Sequence, residues 1–300
     1  MKESRDEILL KTEEYLILPA SYLQLPGLHA FGYAKFNEAN TPLEDHYHPG
    51  CMEFTVMLGG SQTYEVSGKK YTLLPGDVFT NLAGEIHGTG DEPQGISEFC
   101  FLEIDVRKKS GFLGLTAPWD QWMYAAVTGW NQRLVQIPES CLELAQKASR
   151  CFSALVEEPD NIRMRLQGQS LILAFFNQLV SSGAGTRQLA RETQEAMDYI
   201  GLHVAEQLEP EQIAAAVGVS SATLKRRFKE DMGMSIRDYV TRRKLQQSRV
   251  MLQDNAMSMT EISYALGFSD SSYFSAVFRQ YMGCAPREYR RQRIRQQMVG

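Results

Sequence analysis

The chain has 300 residues, 43% of them apolar, with 31 Lys and Arg against 36 Asp and Glu. That length and apolar content suit two cores, so two domains are expected. No N-terminal signal and no apolar run of membrane length are present, which excludes a membrane-spanning role and predicts a soluble, cytoplasmic protein. Five cysteines (Cys51, Cys100, Cys141, Cys151 and Cys284) are odd in number and form no CxxC pair, so they are expected as reduced thiols. The net charge of −5 is unevenly shared: residues 221–300 carry 15 basic and 7 acidic side chains, and the first 220 carry 16 and 29. Only the carboxyl-terminal part is therefore suited to a polyanionic partner.

After a polar start, short alternating runs fall at residues 15–18, 28–36, 53–58, 62–66, 71–74, 78–81 and 98–106. Turn signals separate them, among them Pro26-Gly27, Pro49-Gly50, Gly59-Gly60, Ser67-Gly68 and Pro75-Gly76-Asp77. Many short, regularly spaced strands predict a sandwich or barrel over residues 1–137. Within it lie His46, His48, Glu53 and His87. Two His at i and i+2 project to one side of a strand. Pro49-Gly50 can return Glu53 beside them, and the segment after Gly76-Asp77 can bring His87 from another hairpin. Three imidazoles and a carboxylate suit a divalent transition metal such as Fe, Mn, Ni, Cu or Zn. The same four groups could instead hydrogen-bond a polar effector or serve as polar core residues. The barrel interior is the expected effector pocket.

Trp119, Trp122, Tyr124 and Trp130 cluster next, either as a sugar-stacking lid or, the preferred reading, as a seal between the barrel and its neighbour. Residues 138–156 and 160–180 read as two antiparallel helices, forming a segment at 138–181. The second is apolar on nearly all sides at Leu171–Phe176 and so needs more than one neighbour. Ser181-Ser182-Gly183-Ala184-Gly185 opens a flexible linker at 182–190.

Residues 191–300 are expected to be all-helical and internally duplicated. In residues 210–233, Ile213, Ala214 and Val217 form the inner face of a first helix and Gly218 the turn. Leu224 and Phe228 are the buried pair of a second helix, whose front stripe is Ser221, Ala222, Lys225, Arg226 and Lys229. Residues 258–290 repeat the plan: Ile262, Ala265 and Leu266, then Gly267, then a helix with Phe274, Val277, Phe278 and Tyr281 behind. Its front stripe is Ser271, Ser272, Ser275, Ala276 and Arg279. A helix apolar behind and hydrogen-bonding in front suits the major groove, so each copy reads as a helix-turn-helix. A bundle alone does not explain the duplication. Between the copies, residues 235–252 form a helix with Ser235 as N-cap, ~27 Å long. That length could hold two reading helices over adjacent major-groove segments, which recur every ~34 Å.

Residues from about Thr193 to Arg291 resemble the DNA-binding domain of the AraC/XylS-type bacterial transcription regulators. The matching positions are Gly218, Ser220, Leu224, Phe228, Gly233, Ser235 and Tyr239, then Ile262, Ala265, Gly267-Phe268, Phe274, Phe278-Arg279, Gly283, Pro286 and Tyr289-Arg290. Ala285 departs from the pattern, where Ser or Thr usually precedes the Pro. The His and Glu set resembles the two cupin motifs, HxHx(4)Ex(6)G ending at Gly60 and GDx(6)Gx(2)H ending at His87. Asn40 and Leu82 depart from that pattern without removing a ligand. The resemblances imply an α+β chain: a cupin-like β-barrel (jelly roll), two dimerisation helices, then a double helix-turn-helix domain. They further imply a homodimeric transcription activator that binds promoter DNA, responds to a small molecule such as a sugar, and works with RNA polymerase. The chain is expected not to be an enzyme. The rival reading is a metal-dependent cupin isomerase or dioxygenase fused to a DNA-binding module.

Overall fold

A computed structural model describes residues 9–181, 189–252 and 257–299, with side chains followed to residue 292. The linker expected at 182–190 lies outside the described residues except at its last two positions. The chain divides into two compact units, residues 1–37 with 42–187 and residues 38–41 with 188–300.

The first unit is antiparallel β structure backed by helices. Among the described residues its strands are β1 (Leu10–Lys11), β2 (Tyr15–Pro19), β3 (Leu28–Phe36), β4 (Cys51–Gly60), β5 (Gln62–Val66), β6 (Lys69–Leu73), β7 (Asp77–Asn81), β8 (His87–Gly88), β9 (Ser97–Asp105) and β10 (Leu134–Gln136). A seven-stranded sheet runs β1-β2-β3-β9-β4-β7-β10, and a three-stranded sheet runs β6-β5-β8. Side chains alternate across each strand, so each of β3, β4 and β9 contributes to two cores. Inward, Ala34, Phe36, Met57, Tyr64, Phe79, Phe99 and Phe101 fill the space between the sheets. Outward, Phe31, Phe54, Val56, Cys100 and Leu102 pack against helices.

Those helices are α3 (Glu139–Leu155) and α4 (Ile162–Ser181), preceded by α1 (Ala20–Leu23) and α2 (Trp119–Thr128). α3 is amphipathic and buries Ala145, Ala148, Phe152 and Leu155 along one stripe, with Leu144 beside them half-buried. Gly168 of α4 leaves room for the Phe152 ring: a Cβ there would lie 2.5 Å from it. The aromatic cluster does not act as one seal. Tyr124 packs edge-on against Phe112 and donates to the Val106 carbonyl at 2.6 Å. Trp119 and Trp122 are instead 65% and 53% exposed, because the short α2 turns its Asp120, Met123 and Val127 inward.

The second unit is all-helical: α5 (Arg191–Leu202), α6 (Pro210–Ala216), α7 (Ser221–Met232), α8 (Ile236–Met251), α9 (Met259–Ala265), α10 (Ser271–Met282) and α11 (Pro286–Val299). The duplication is visible in its caps. Ser220 and Asp270 cap α7 and α10 by accepting backbone N–H groups of their first turns. Gly218 and Gly267 make the two turns at φ 73° and 66°, where a β-carbon is disfavoured. Ser235 caps α8 by accepting from the Asp238 N–H. The sixteen residues of α8 are ~24 Å long, slightly shorter than expected. One inner face is corrected: α9 buries Ile262 and Ser263, and Leu266 just past its end is buried with them, while Ala265 is exposed. Leu245 of α8 is fully buried in the second copy's core.

Candidate functional site

The four residues singled out in the barrel come together. His46 and His87 exchange both backbone hydrogen bonds at 2.9 Å in an isolated antiparallel bridge, which sets their rings 4.3 Å apart. His48 follows two residues later, with its ring 5.1 Å from His46 and 5.4 Å from His87. Glu53 rises from the inward face of β4, its Oε2 3.4 Å from His48 Nε2 and its Oε1 3.6 Å from His87 Nε2. One donor atom from each residue lies within 4.8 Å of the others. His48, Glu53 and His87 are buried, and His46 is half-buried on the side facing solvent.

Residues that sequence reasoning missed hold this cluster in place. Glu53 Oε1 accepts from Thr55 Oγ1 and Asn81 Nδ2, both at 3.1 Å. Arg133 donates to the Thr80 carbonyl and to both carboxylate oxygens of Glu85, fixing the loop that carries His87. Glu103 sits directly opposite Glu53 in the β4–β9 register, with its Oε1 3.5 Å from His48 Nδ1. A signal for Glu103 existed: Phe99, Phe101 and Glu103 alternate along β9, so all three face inward. For Arg133, outside any strong periodicity, there was none.

The charges are strongly perturbed. Burial alone pushes the Glu53 carboxyl up, but the polar contact with His48 Nε2 at 3.4 Å and the nearby His87, His48 and His46 rings outweigh it and bring it down to about 2. Burial, reinforced by the His87 ring, holds His46 below its usual range. The donor set fits a divalent transition metal. His46 Nδ1 and His87 Nδ1 each lie 2.9 Å from a backbone carbonyl, of Glu44 and Glu85. A carbonyl only accepts, so each Nδ1 carries the hydrogen and each Nε2 offers a lone pair. His87 Nε2 is buried without a hydrogen-bond partner among the described residues, which is costly for a polar atom with no ligand to meet.

On α7, Leu224 and Phe228 are fully buried, while Ala222, Lys225, Arg226 and Lys229 are exposed and Ser221 half-exposed. On α10, Phe274 and Phe278 are fully buried; Ser272, Ala276 and Arg279 are exposed, and Ser271 and Ser275 half-exposed. Two further features are new. Tyr273 stands 57% exposed on the face of α10. In the first copy, carboxylates already engage much of the basic surface: Lys225 with Glu211 and Arg226 with Glu230, both at 2.8 Å, and Arg227 with Glu192. No helix among the described residues is long and apolar enough to cross a membrane.

These units define an antiparallel β domain followed by paired helix-turn-helix motifs that present two exposed helices. Residues 213–292 match the family described as "Helix-turn-helix domain". The HTH-type transcriptional activator RhaS of Salmonella paratyphi B is 34% identical over 256 residues, covering 83% of this chain and 88% of that protein. The xylose operon regulatory protein of Escherichia coli K12 is 35% identical over 96 residues, 32% of this chain, so the chain spans only 24% of that relative's length. An AraC-type DNA-binding regulator from Chromobacterium violaceum is 34% identical over 34% of this chain and 91% of that chain, with a TM-score of 0.33. The chain belongs to the AraC-type family of helix-turn-helix transcription regulators.

Proposed function

We propose that the chain is a sequence-specific DNA-binding regulator, an activator working in the cytoplasm, controlled by a small carbohydrate bound through its β unit. The observation that carries this reading is the repeated motif. Two capped helices, α7 and α10, each bury one stripe and leave a polar or basic stripe outward. Lys and Arg on such stripes supply affinity through phosphates, and front-stripe side chains supply sequence through base edges. The activator name of the RhaS relative supports the direction of control and RNA polymerase as partner, and the xylose operon relative supports a sugar effector. A second copy of the chain is the partner we assign to α4, whose Ile162 and Leu166 are 67% and 56% exposed.

His46, His48, Glu53 and His87 would hold a divalent transition metal ion (Fe, Mn, Ni, Cu or Zn), which when bound supplies a Lewis-acidic anchor for a ligand oxygen. Effector binding must favour one arrangement of the protein over another in order to regulate. The deciding experiment is selection of DNA sequences from a random pool by the full-length protein, followed by footprinting of the winners. Two protected major-groove segments one helical turn apart are expected. A protein indifferent to sequence would overturn the reading.

A further inference from the structure

We infer that Glu103 is the positioning residue of His48, taking the Nδ1–H so that His48 Nε2 converges with those of His46 and His87. Two of the three rings have their outer nitrogen settled by the backbone, through the Glu44 and Glu85 carbonyls at 2.9 Å. The ring of His48 lies instead between two carboxylates, with Nε2 toward Glu53 at 3.4 Å and Nδ1 toward Glu103 at 3.5 Å. The second distance is slightly long for a formed hydrogen bond, and closing it needs a shift of only ~0.3–0.5 Å.

Glu103 is 1% exposed, on the inward face of β9 with Phe99 and Phe101 as its alternating neighbours. A carboxylate in that position is costly unless a donor or a cation meets it. Pairing it with His48 accounts for its burial, and it accounts for the register that sets Glu53 and Glu103 opposite each other across β4 and β9. Glu53 then faces the inside of the cluster and Glu103 backs the ring. This is the division between a direct ligand and the group behind it that fixes ring orientation and ligand basicity.

The consequence for metal affinity rests on the metal reading above; the consequence for the imidazole hydrogen does not. The test therefore has two readouts on full-length protein, comparing wild type with Glu103→Gln and with Glu103→Met, which has no carboxylate. Long-range 15N–1H spectra of histidine-labelled, chelator-treated protein at about pH 8 report which ring nitrogens bear hydrogen. His48 Nδ1 is expected to bear one in the wild type and to lose it, wholly or in part, in Glu103→Met. Competition titration with Zn2+ is expected to show roughly 10–100-fold weaker binding in Glu103→Met and a smaller loss in Glu103→Gln. A wild-type His48 bearing hydrogen only on Nε2, or a hydrogen unchanged in both variants, overturns the inference. Wild-type protein that takes up no Zn2+ while His48 behaves as expected overturns the metal reading and leaves the positioning role standing. Should Glu103→Met fail to fold, Glu103→Gln still decides: an unchanged Nδ1 hydrogen together with unchanged Zn2+ affinity sinks the role.

Discussion

Arg226 stands mid-way along the exposed face of α7, and its guanidinium already contacts both oxygens of Glu230 at 2.8 Å. An exposed i,i+4 pair of this kind contributes only ~0.3–0.5 kcal/mol, whereas a bidentate grip on guanine is worth ~1–3 kcal/mol, so DNA wins the competition. Arg226→Ala is expected to weaken binding to the selected site by ~1–3 kcal/mol and relax one base position, with little change on random DNA. Gel-shift titrations on both DNAs measure this, and equal losses would reassign Arg226 to phosphate contact. Lys244 makes a different point at the same scale. It is 6% exposed, lies over the Phe268 ring and donates to the Gly267 carbonyl at 3.4 Å. A lysine that looks like surface charge in the sequence thus braces the turn of the second motif.

Among the elements, the long periodic ones were legible and the short ones were not. Strands β3 and β5 and the stripes of α3, α7 and α10 follow from period 2 or 3.6 because one face of each is buried. Strands β8 and β10 have two and three residues, too few to display a period, yet β8 carries His87. On α9 a spacing of i, i+3, i+4 from Ile262 pointed to Ala265, and the fold chose Ser263 because a two-turn helix wedged into a core is buried along one edge. The four ligand candidates were legible from motif spacing; of the groups behind them, Glu103 showed its inward face in the alternation of β9, but its place opposite Glu53 is visible only in the register. The α3–α4 contact offers a measurable case. Replacing Gly168 with Ala gains up to ~1 kcal/mol of helix propensity but drives a methyl against the Phe152 ring, an overpacking cost of ~1–3 kcal/mol. A net loss of about 1 kcal/mol is expected from urea midpoints; a more stable variant would show that the helices separate freely.

At the scale of the whole chain, the ionisable cluster makes the β unit respond to acid. His46 is held below its usual 6.5 by burial, so between 6.5 and that lowered value the unfolded chain binds a proton that the folded chain does not. Stability rises with pH wherever the unfolded state binds more protons; the His46 contribution is therefore complete above about 6.5 and fades as pH falls through this window. Glu53 acts in the same direction at lower pH. Its carboxyl falls from 4.5 to about 2 on folding, so its contribution is present above 4.5 and disappears as pH drops toward 2. A bound metal requires neutral imidazoles and an ionised carboxylate, so it steepens the same slope. Unfolding of the full chain in the presence of chelator is expected to show the β-unit transition moving to lower temperature between about pH 7.5 and 5.5. His46→Gln should flatten that dependence while leaving the transition of the helical unit in place, and a dependence unchanged in that variant would move the acid sensitivity away from His46.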